Sequence, residues 1–208
     1  MASLSRRDLL RLSAAAPAAI GLGALATGIA AAPPAAAAPL GILLDYAAGV
    51  ISADDIKASG AQGAIRYVSD RRPGGGWMLG KPIQLPEARD LYRAGLKIVS
   101  CYQFGKGETA DWLPGASAGV EHAKRGWQLH TAAGGPIGAP VYASIDDDPS
   151  YAQYRAQVAP YLRGWESVIG RVAHPAAHLH QVEIDARSVG GVGVDVNHVL
   201  KPQFGQWD

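Results

Sequence analysis

Short apolar runs alternate with longer amphipathic segments along most of this chain. Six runs bounded by Gly, Pro or polar residues are predicted to be strands, at residues 41–46, 63–68, 96–103, 140–146, 178–183 and 192–197. Four segments between them have helical character, at residues 52–59, 85–94, 116–133 and 151–169. Strand followed by helix, repeated, predicts an α/β fold with a parallel sheet and right-handed crossovers.

The N-terminus has the layout of an export signal. Ser5-Arg6-Arg7-Asp8 precedes an uncharged stretch from Leu12 to Ala38, and small residues at Ala35-Ala36-Ala37 suit cleavage. Paired arginines before a Gly- and Ala-rich apolar segment indicate the twin-arginine (Tat) pathway, which exports folded proteins. We therefore predict a Tat signal at residues 1–38 and one domain at residues 39–208, exported to the periplasm, cell wall or medium. No later run approaches the about 20 residues of a membrane span.

Composition supports a globular domain with a near-neutral surface. Hydrophobic residues make up 48% of the chain and charged residues 18%. The formal charge is +1, and the signal holds +2 of it (Arg6, Arg7 and Arg11 against Asp8), which leaves −1 for residues 39–208. Nucleic acid or an anionic membrane surface is therefore not expected as a partner. The single cysteine, Cys101, is interpreted as a buried, inert thiol rather than a nucleophile.

Carboxylates recur where the predicted strands end. Asp45 ends the first strand, Asp146 to Asp148 end the fourth, and Asp195 with Asn197 ends the last. One acid after a strand is most often a helix cap or a turn residue. Several such acids, however, converge on one mouth in a parallel α/β sheet or barrel, which is where these folds bind ligands.

An arginine within an apolar run adds to this pattern. Arg66 lies in Ala-Ile-Arg-Tyr-Val and needs a partner if it is buried, for which we predict Asp45 or Asp146. Clustered carboxylates of this kind separate their pKa values, so that one stays ionised while another is protonated. Acid/base chemistry on a glycosidic bond requires that arrangement.

Two other motifs are weaker than they look. Gly75 to Lys81 has the spacing of a phosphate-binding loop, but Pro82 supplies neither a hydroxyl for magnesium nor a backbone donor. We expect no nucleotide there, and Trp77 in this loop is available to a ligand. His174, His178 and His180 are interpreted as strand histidines bonded to their neighbours, because no further zinc ligand is evident. No cofactor or metal is predicted.

Seven short motifs together resemble a known family. They are Leu-Asp45-Tyr, Arg66-Tyr-Val, Lys81-Pro, Cys-Tyr102-Gln103, Tyr-Ala-Ser-Ile-Asp146-Asp-Asp148, His-Gln181-Val and Val-Asp195-Val-Asn197. In this order they resemble the glycoside-hydrolase-like TIM-barrel family of Tat-exported mycobacterial proteins. That family, long catalogued as a domain of unknown function, is distantly similar to the lysozyme-type muramidases.

The resemblance implies a glycan site and a role for each matching residue. Asp45, Asp146, Asp148 and Asp195 would be the catalytic carboxylates, with Asp148 as general acid and Asp146 or Asp195 orienting substrate or activating water. The side chains expected to bind substrate are Arg66, Trp77, Tyr102, Gln103, Gln181 and Asn197. The implied partner is cell-envelope polysaccharide of the peptidoglycan type.

The chain departs from the family pattern in two ways. Asp148 stands where the muramidases carry a proton-donating glutamate, so its carboxyl is one methylene short of the leaving oxygen. Residue 170 leads almost directly into the penultimate strand, so we predict a TIM-type barrel that lacks about two strands after this point. The 170 residues after the signal compare with about 250 in a usual TIM barrel. An inactive carbohydrate-binding protein and a truncated product without function are therefore alternatives to an enzyme.

Overall fold

The computed structural model describes residues 38–170 and 179–207 and contains seven strands in them. They are β1 (Gly41–Asp45), β2 (Gly63–Tyr67), β3 (Lys97–Tyr102), β4 (Val141–Ala143), β5 (Leu179–Val189), β6 (Val192–Val199) and β7 (Gln206–Trp207). The six predicted strands all occur, though β4 is shorter and β5 longer than expected. The two-residue β7 was not predicted because so short a segment leaves no periodic pattern.

The four predicted helical segments also occur. They are α1 (Ala53–Ala58), α2 (Leu85–Arg93), α3 (Ala116–Ala132) and α4, which runs through Tyr151–Gln153, a π-helical turn at Tyr154–Val158 and Ala159–Ile169. A short 3₁₀ turn lies at Gly107–Thr109. The side chain of Ser52 caps α1 by accepting a hydrogen bond from the backbone N–H of Asp55 at 3.1 Å. No helix of residues 38–170 and 179–207 is long and apolar enough to cross a bilayer.

The sheet is parallel in its first half and antiparallel in its second. Its order is β4-β3-β2-β1-β6-β5, with β7 also paired to β3. Strands β1 to β4 are parallel, as predicted. The prediction of an entirely parallel sheet is wrong for β6, which runs antiparallel to β1, and for β5, which runs antiparallel to β6. Gly190 and Gly191, with φ of +56° and +77°, make a two-residue hairpin between them, whereas a parallel pair needs a long crossover.

Each face of the sheet carries its own apolar core. On the outer face, Leu44, Ala64, Ile98 and Val196 pack within the large cluster that includes the helices. On the inner face, a smaller cluster contains Leu43, Ile65, Val99, Val199 and Phe204. The alternation follows the period of two along each strand. No pairing among the described residues joins β4 to β5, and residues 171–178, where we predict the missing strands, lie outside the described part of the chain.

Candidate functional site

The carboxyl ends of the parallel strands bring polar side chains together on the inner face, in a site that we call the mouth. Asp45 ends β1, Tyr67 ends β2, and Gln103 and Asp146 follow β3 and β4. Asp195 reaches the same place from β6. The mouth therefore unites three of the four predicted catalytic acids with Gln103.

Asp195 arrives there by a route that the sequence did not indicate. It lies within an antiparallel strand rather than at the end of a parallel one, and it is paired in register with Asp45. Directly opposite residues of an antiparallel pair lie side by side on one face. Gln181, on the neighbouring strand β5, donates a hydrogen bond from its side-chain amide to Asp195 Oδ2 at 2.6 Å. Gln181 thus positions an acid of the mouth.

Asp45 has the most unusual environment of these acids. Burial, with a smaller contribution from the negative charge of Asp195, raises the pKa of the Asp45 carboxyl to about 7. The Tyr67 hydroxyl, as a hydrogen-bond donor, and the positive charges of Arg66 and Lys81 act in the opposite direction and lower this pKa. The Oδ1 atom of Asp45 is buried without a hydrogen-bond partner. A carboxyl with this pKa can exchange a proton near neutral pH.

Asn197 leaves a second polar atom of the inner face unpaired. Asn197 is paired in register with Leu43, two residues along the strands from the Asp45–Asp195 pair, and is only 6% exposed. Its amide Nδ2 has no hydrogen-bond partner. An unpaired buried donor is costly, so this atom marks a place where a ligand atom or water would be bound.

The β3 and β4 side of the mouth is held by a polar network. The Gln103 side-chain amide donates to Asp146 Oδ2 at 2.8 Å, and Lys106 forms an ion pair with the same oxygen at 2.7 Å. The Gln103 carbonyl accepts hydrogen bonds from Ser69 Oγ at 2.6 Å and Lys81 Nζ at 2.7 Å. Asp146 is thus fixed in direction by its neighbours.

The two acids after Asp146 differ from it in environment. Asp147 anchors the loop after β3, because it accepts hydrogen bonds from Gly107 N at 3.1 Å and from the Trp112 indole at 3.0 Å. Asp148 is exposed. Strand β4 ends at Ala143, so the period-two argument that placed Asp148 beside Asp146 does not extend that far.

The structure corrects the predicted partner of Arg66. Its partner is neither Asp45 nor Asp146 but Glu87 of α2, at 2.6 Å. It is fully buried, and it also donates to the carbonyls of Tyr46 and Gly80. In register Arg66 is level with Ser100, on the outer face, while Asp45 is level with Ile65 on the inner one. Arg66 therefore holds α2 to the sheet and does not face the mouth.

Tyr102 is also displaced from its predicted role. It is buried on the outer face, where its ring stacks on His122 of α3 at 5.1 Å and meets Trp165 of α4 edge-on at 5.3 Å. Trp77 is 56% exposed on the loop between β2 and α2, as expected for an available side chain. Burial raises the pKa of the Cys101 thiol far above neutrality, which keeps it protonated and suits the inert role predicted for it.

Two side chains of the mouth were missed by sequence reasoning. Tyr67 approaches Asp45, and Lys81, only 4% exposed, lies over the Tyr67 ring with Nζ 3.8 Å from the ring centroid. The available signal was a lysine before a proline in a glycine-rich loop, which resembled a failed phosphate site. His174 and His178 lie outside the described residues, as does the side chain of His180.

Acids gathered at the carboxyl ends of parallel strands are a feature of barrel enzymes, glycoside hydrolases among them. The family model of the Rv2525c-like, glycoside hydrolase-like domain matches residues 54–174. Rv2525c of Mycobacterium tuberculosis, provisionally named a peptidoglycan hydrolase, is 62% identical over 239 residues, covering 99% of each chain. The chain therefore belongs to the Rv2525c-like family, as its motifs predicted.

Solved structures agree with this assignment. The crystal structure of the Tat-secreted protein Rv2525c in complex with L-tartrate is 64% identical, has a TM-score of 0.78, and covers 81% of this chain and 100% of that one. The modular autolysin LytC of Streptococcus pneumoniae has a TM-score of 0.50 at 10% identity, over 76% of this chain and 46% of its own, and so shares the fold alone. The Rv2525c alignment of 239 residues exceeds the 208 residues of this chain, so the relative has at least 31 residues without a counterpart here.

Proposed function

We propose that this protein is exported by the Tat pathway and cleaves a glycosidic bond in cell-wall glycan of the peptidoglycan type. The observation that carries the proposal is Asp45, a carboxyl with a pKa of about 7 and a buried, unpartnered oxygen beside a second acid, Asp195. Glycoside hydrolysis uses two carboxyl groups, one of which can give up a proton at the working pH. The provisional name of Rv2525c supports the choice of glycan.

In this proposal the acids of the mouth divide the work. Asp45 transfers the proton, because its pKa lies near neutral pH. Asp195, held by Gln181, and Asp146, held by Gln103 and Lys106, would stabilise positive charge that develops on the sugar ring. Asn197 would donate its unused N–H to a sugar oxygen, and Trp77 would offer a surface for ring stacking. Asp148, exposed and short, is the second candidate for proton donor.

A carbohydrate-binding protein without hydrolysis is the alternative. The contacts that favour it are those of Asp146, whose Oδ2 atom is already engaged by Gln103 and Lys106. An acid held in this way orients a sugar but has less freedom to activate water.

The test is release of reducing ends from purified peptidoglycan by the signal-processed protein. We expect Asp45→Asn to reduce the rate at least 100-fold, within the range for loss of a general acid. Asp54→Asn, the same change at an exposed position of α1, should leave the rate unchanged. Asp148→Asn tests the second candidate in the same assay. Binding of peptidoglycan with no release by the unaltered protein would contradict hydrolysis and favour the alternative.

A further inference from the structure

A groove, which we call the α3 groove, runs between helix α3 and the loop that follows β3. Its wider part has a volume of about 750 Å³ and its narrower part about 260 Å³, and both parts are lined by Phe104, Glu121 and His122. The α3 positions that line it extend from Ser117 to Gln128, a distance of about 16 Å at 1.5 Å per helical residue. The α3 groove is therefore long enough for about five residues of an extended peptide, at about 3.3 Å each.

The loop after β3 contributes to both the α3 groove and the mouth. Phe104 and Asp111 line the groove, whereas Lys106, between them in sequence, forms an ion pair with Asp146 of the mouth at 2.7 Å. The buried Asp111 carboxylate fixes the path of the loop, because it accepts hydrogen bonds from the backbone N–H groups of Phe104 and Gly105 at 2.8 and 2.7 Å. A polymer whose main chain occupies the mouth can thus place a branch in the α3 groove.

His122 borders both parts of the α3 groove and is held in place by aromatic side chains. Its ring stacks on Tyr102 at 5.1 Å, and its Nδ1 atom lies 3.3 Å from the Tyr161 hydroxyl. The other ring nitrogen, Nε2, has no hydrogen-bond partner in the described part of the chain and is not one of the buried unpaired atoms there, so a ligand can reach it. A fixed imidazole of this kind suits the polar backbone of a peptide, since either of its nitrogens can donate or accept a hydrogen bond.

The charged side chains of the α3 groove have both signs. Glu121 borders both parts of it and Lys124 the wider part, and both are exposed. Neither forms an ion pair with another described residue, whereas Arg125 of the wider part is already paired with Asp70 through two hydrogen bonds at 2.7 and 2.8 Å. Charges of both signs are complementary to a ligand that carries both, as a short peptide does, and a neutral glycan offers nothing to match them.

We propose that the α3 groove binds the peptide branch of peptidoglycan, with a ligand ammonium group at Glu121 and a ligand carboxylate at Lys124. This branch is a short peptide with free ammonium and carboxylate groups, and it is attached to the glycan strand that the mouth would hold. The inference deepens the proposed function, on which it rests for the presence of a glycan in the mouth. Binding of the peptide itself requires neither a glycan nor hydrolysis.

The experiment is a ¹H–¹⁵N NMR titration of the signal-processed protein with the free tetrapeptide L-Ala-γ-D-Glu-meso-diaminopimelyl-D-Ala. We expect saturable shift changes concentrated on residues 104–111 and 117–128. Glu121→Gln combined with Lys124→Gln should weaken binding about 5- to 30-fold, because two charge contacts at an exposed site are lost. Asp54→Asn combined with Lys57→Gln, which removes one charge of each sign from exposed positions of α1, should leave the affinity unchanged.

Absence of shift changes on the residues of the α3 groove would overturn the proposal, as would an undiminished affinity in the Glu121→Gln/Lys124→Gln variant. The tetramer of N-acetylglucosamine, a glycan without peptide, is titrated in parallel. Shift changes that this probe produces in the α3 groove would identify a glycan site there and also overturn the proposal. Cleavage of peptidoglycan without tetrapeptide binding would contradict this inference alone, whereas tetrapeptide binding without cleavage would contradict the proposed hydrolysis alone.

Discussion

The two faces of the sheet treat the buried polar side chains of their strands in opposite ways, although the indole N–H of Trp165 on α4, in the outer layer, is also unpaired. On the outer face, Arg66 is enclosed by Glu87 and two carbonyls, and Ser100 is bonded to His130 and Trp207. On the inner face, Asp45 and Asn197 each keep a buried atom without a partner. The outer groups hold helices to the sheet.

The unpaired atoms of Asp45 and Asn197 on the inner face are costly to bury and form no hydrogen bond that would stabilise the fold. Unpaired polar atoms of this kind concentrate at functional sites. The difference between the faces therefore distinguishes residues that hold the structure from candidates for function, even where both are buried. It also accounts for the two predicted binding residues, Arg66 and Tyr102, that lie outside the mouth: both belong to the outer face.

The largest expected effect comes from removing the buried Arg66–Glu87 ion pair of the outer face. Glu87→Gln leaves the Arg66 charge buried without its counterion and should lower the free energy of unfolding by about 3–5 kcal/mol. Urea denaturation measures this, with Glu121→Gln at an exposed position of α3 as the control. A loss as small as that of the control would mean that the carbonyls of Tyr46 and Gly80 suffice for Arg66.

The next effect has the opposite sign and tests the inner face. The folded pKa of Asp45, about 7, is above its unfolded value of 3.8, so the folded state binds the proton more tightly. Stability from this group is full below about pH 4 and is lost as the pH rises to 7. Asp45→Asn should therefore stabilise the protein at pH 8 by about 1–4 kcal/mol, and by little at pH 4.

The measurement is the pH dependence of unfolding for the Asp45→Asn variant and the unaltered protein, with Asp54→Asn as the matched control. A variant that is less stable than the unaltered protein at pH 8 would show that the Asp45 carboxylate is satisfied, and the contrast between the two faces would then be wrong.

The sequence was sufficient for the elements and for half of the topology. Apolar runs and their caps located six strands and four helical segments, and the repeated strand–helix order gave the parallel pairing of β1 to β4. The Gly190-Gly191 pair is a hairpin signal, since both residues readily adopt positive φ, and the antiparallel β5–β6 pair, which was not predicted, follows from it. The place of the residues absent relative to Rv2525c stays a prediction. Their number, at least 31, is about the size of one strand–helix–strand unit.

The candidate site was only partly predictable, for reasons of geometry. Successive residues of a strand point to opposite faces, so Tyr102 and Gln103 cannot both face the mouth, and alternation alone could have excluded one of them. The pairing of Arg66 with Glu87 could not be read from sequence, since it depends on which face of α2 turns inward. The position of Lys81 depends on the path of a loop, which no periodic pattern specifies.

A smaller effect concerns His130 of the outer face and the pH dependence of the free energy of unfolding. His130 is fully buried between Ser100 Oγ at 2.8 Å and the Pro136 carbonyl at 3.2 Å, and burial lowers its pKa. The unfolded chain binds this proton more tightly, so His130 costs stability as the pH falls below about 6.5, by about 1 kcal/mol for each pH unit until its folded pKa is reached. This slope opposes that of Asp45.

The Asp45→Asn variant removes the opposing slope and exposes that of His130. Its stability should decline between pH 7 and pH 5. The double variant Asp45→Asn/His130→Asn, although less stable at pH 7, should decline less over the same range. Parallel curves for the two variants would mean that His130 is not the group that titrates.

The smallest effect tests whether burial, rather than arginine–carboxylate chemistry itself, gives the outer face its strength. Arg125 of α3 donates two hydrogen bonds to Asp70 at 2.7 and 2.8 Å, a geometry as good as that of Arg66 with Glu87, but both side chains are more than 40% exposed. Water and salt screen such a pair, so Asp70→Asn should cost at most about 1 kcal/mol, and less in 1 M NaCl. Urea denaturation with and without 1 M NaCl measures the loss of unfolding free energy in each variant. If Asp70→Asn loses as much as Glu87→Gln at both salt concentrations, burial does not distinguish the two ion pairs. The stability of the outer face would then come from the number of hydrogen bonds that each arginine donates.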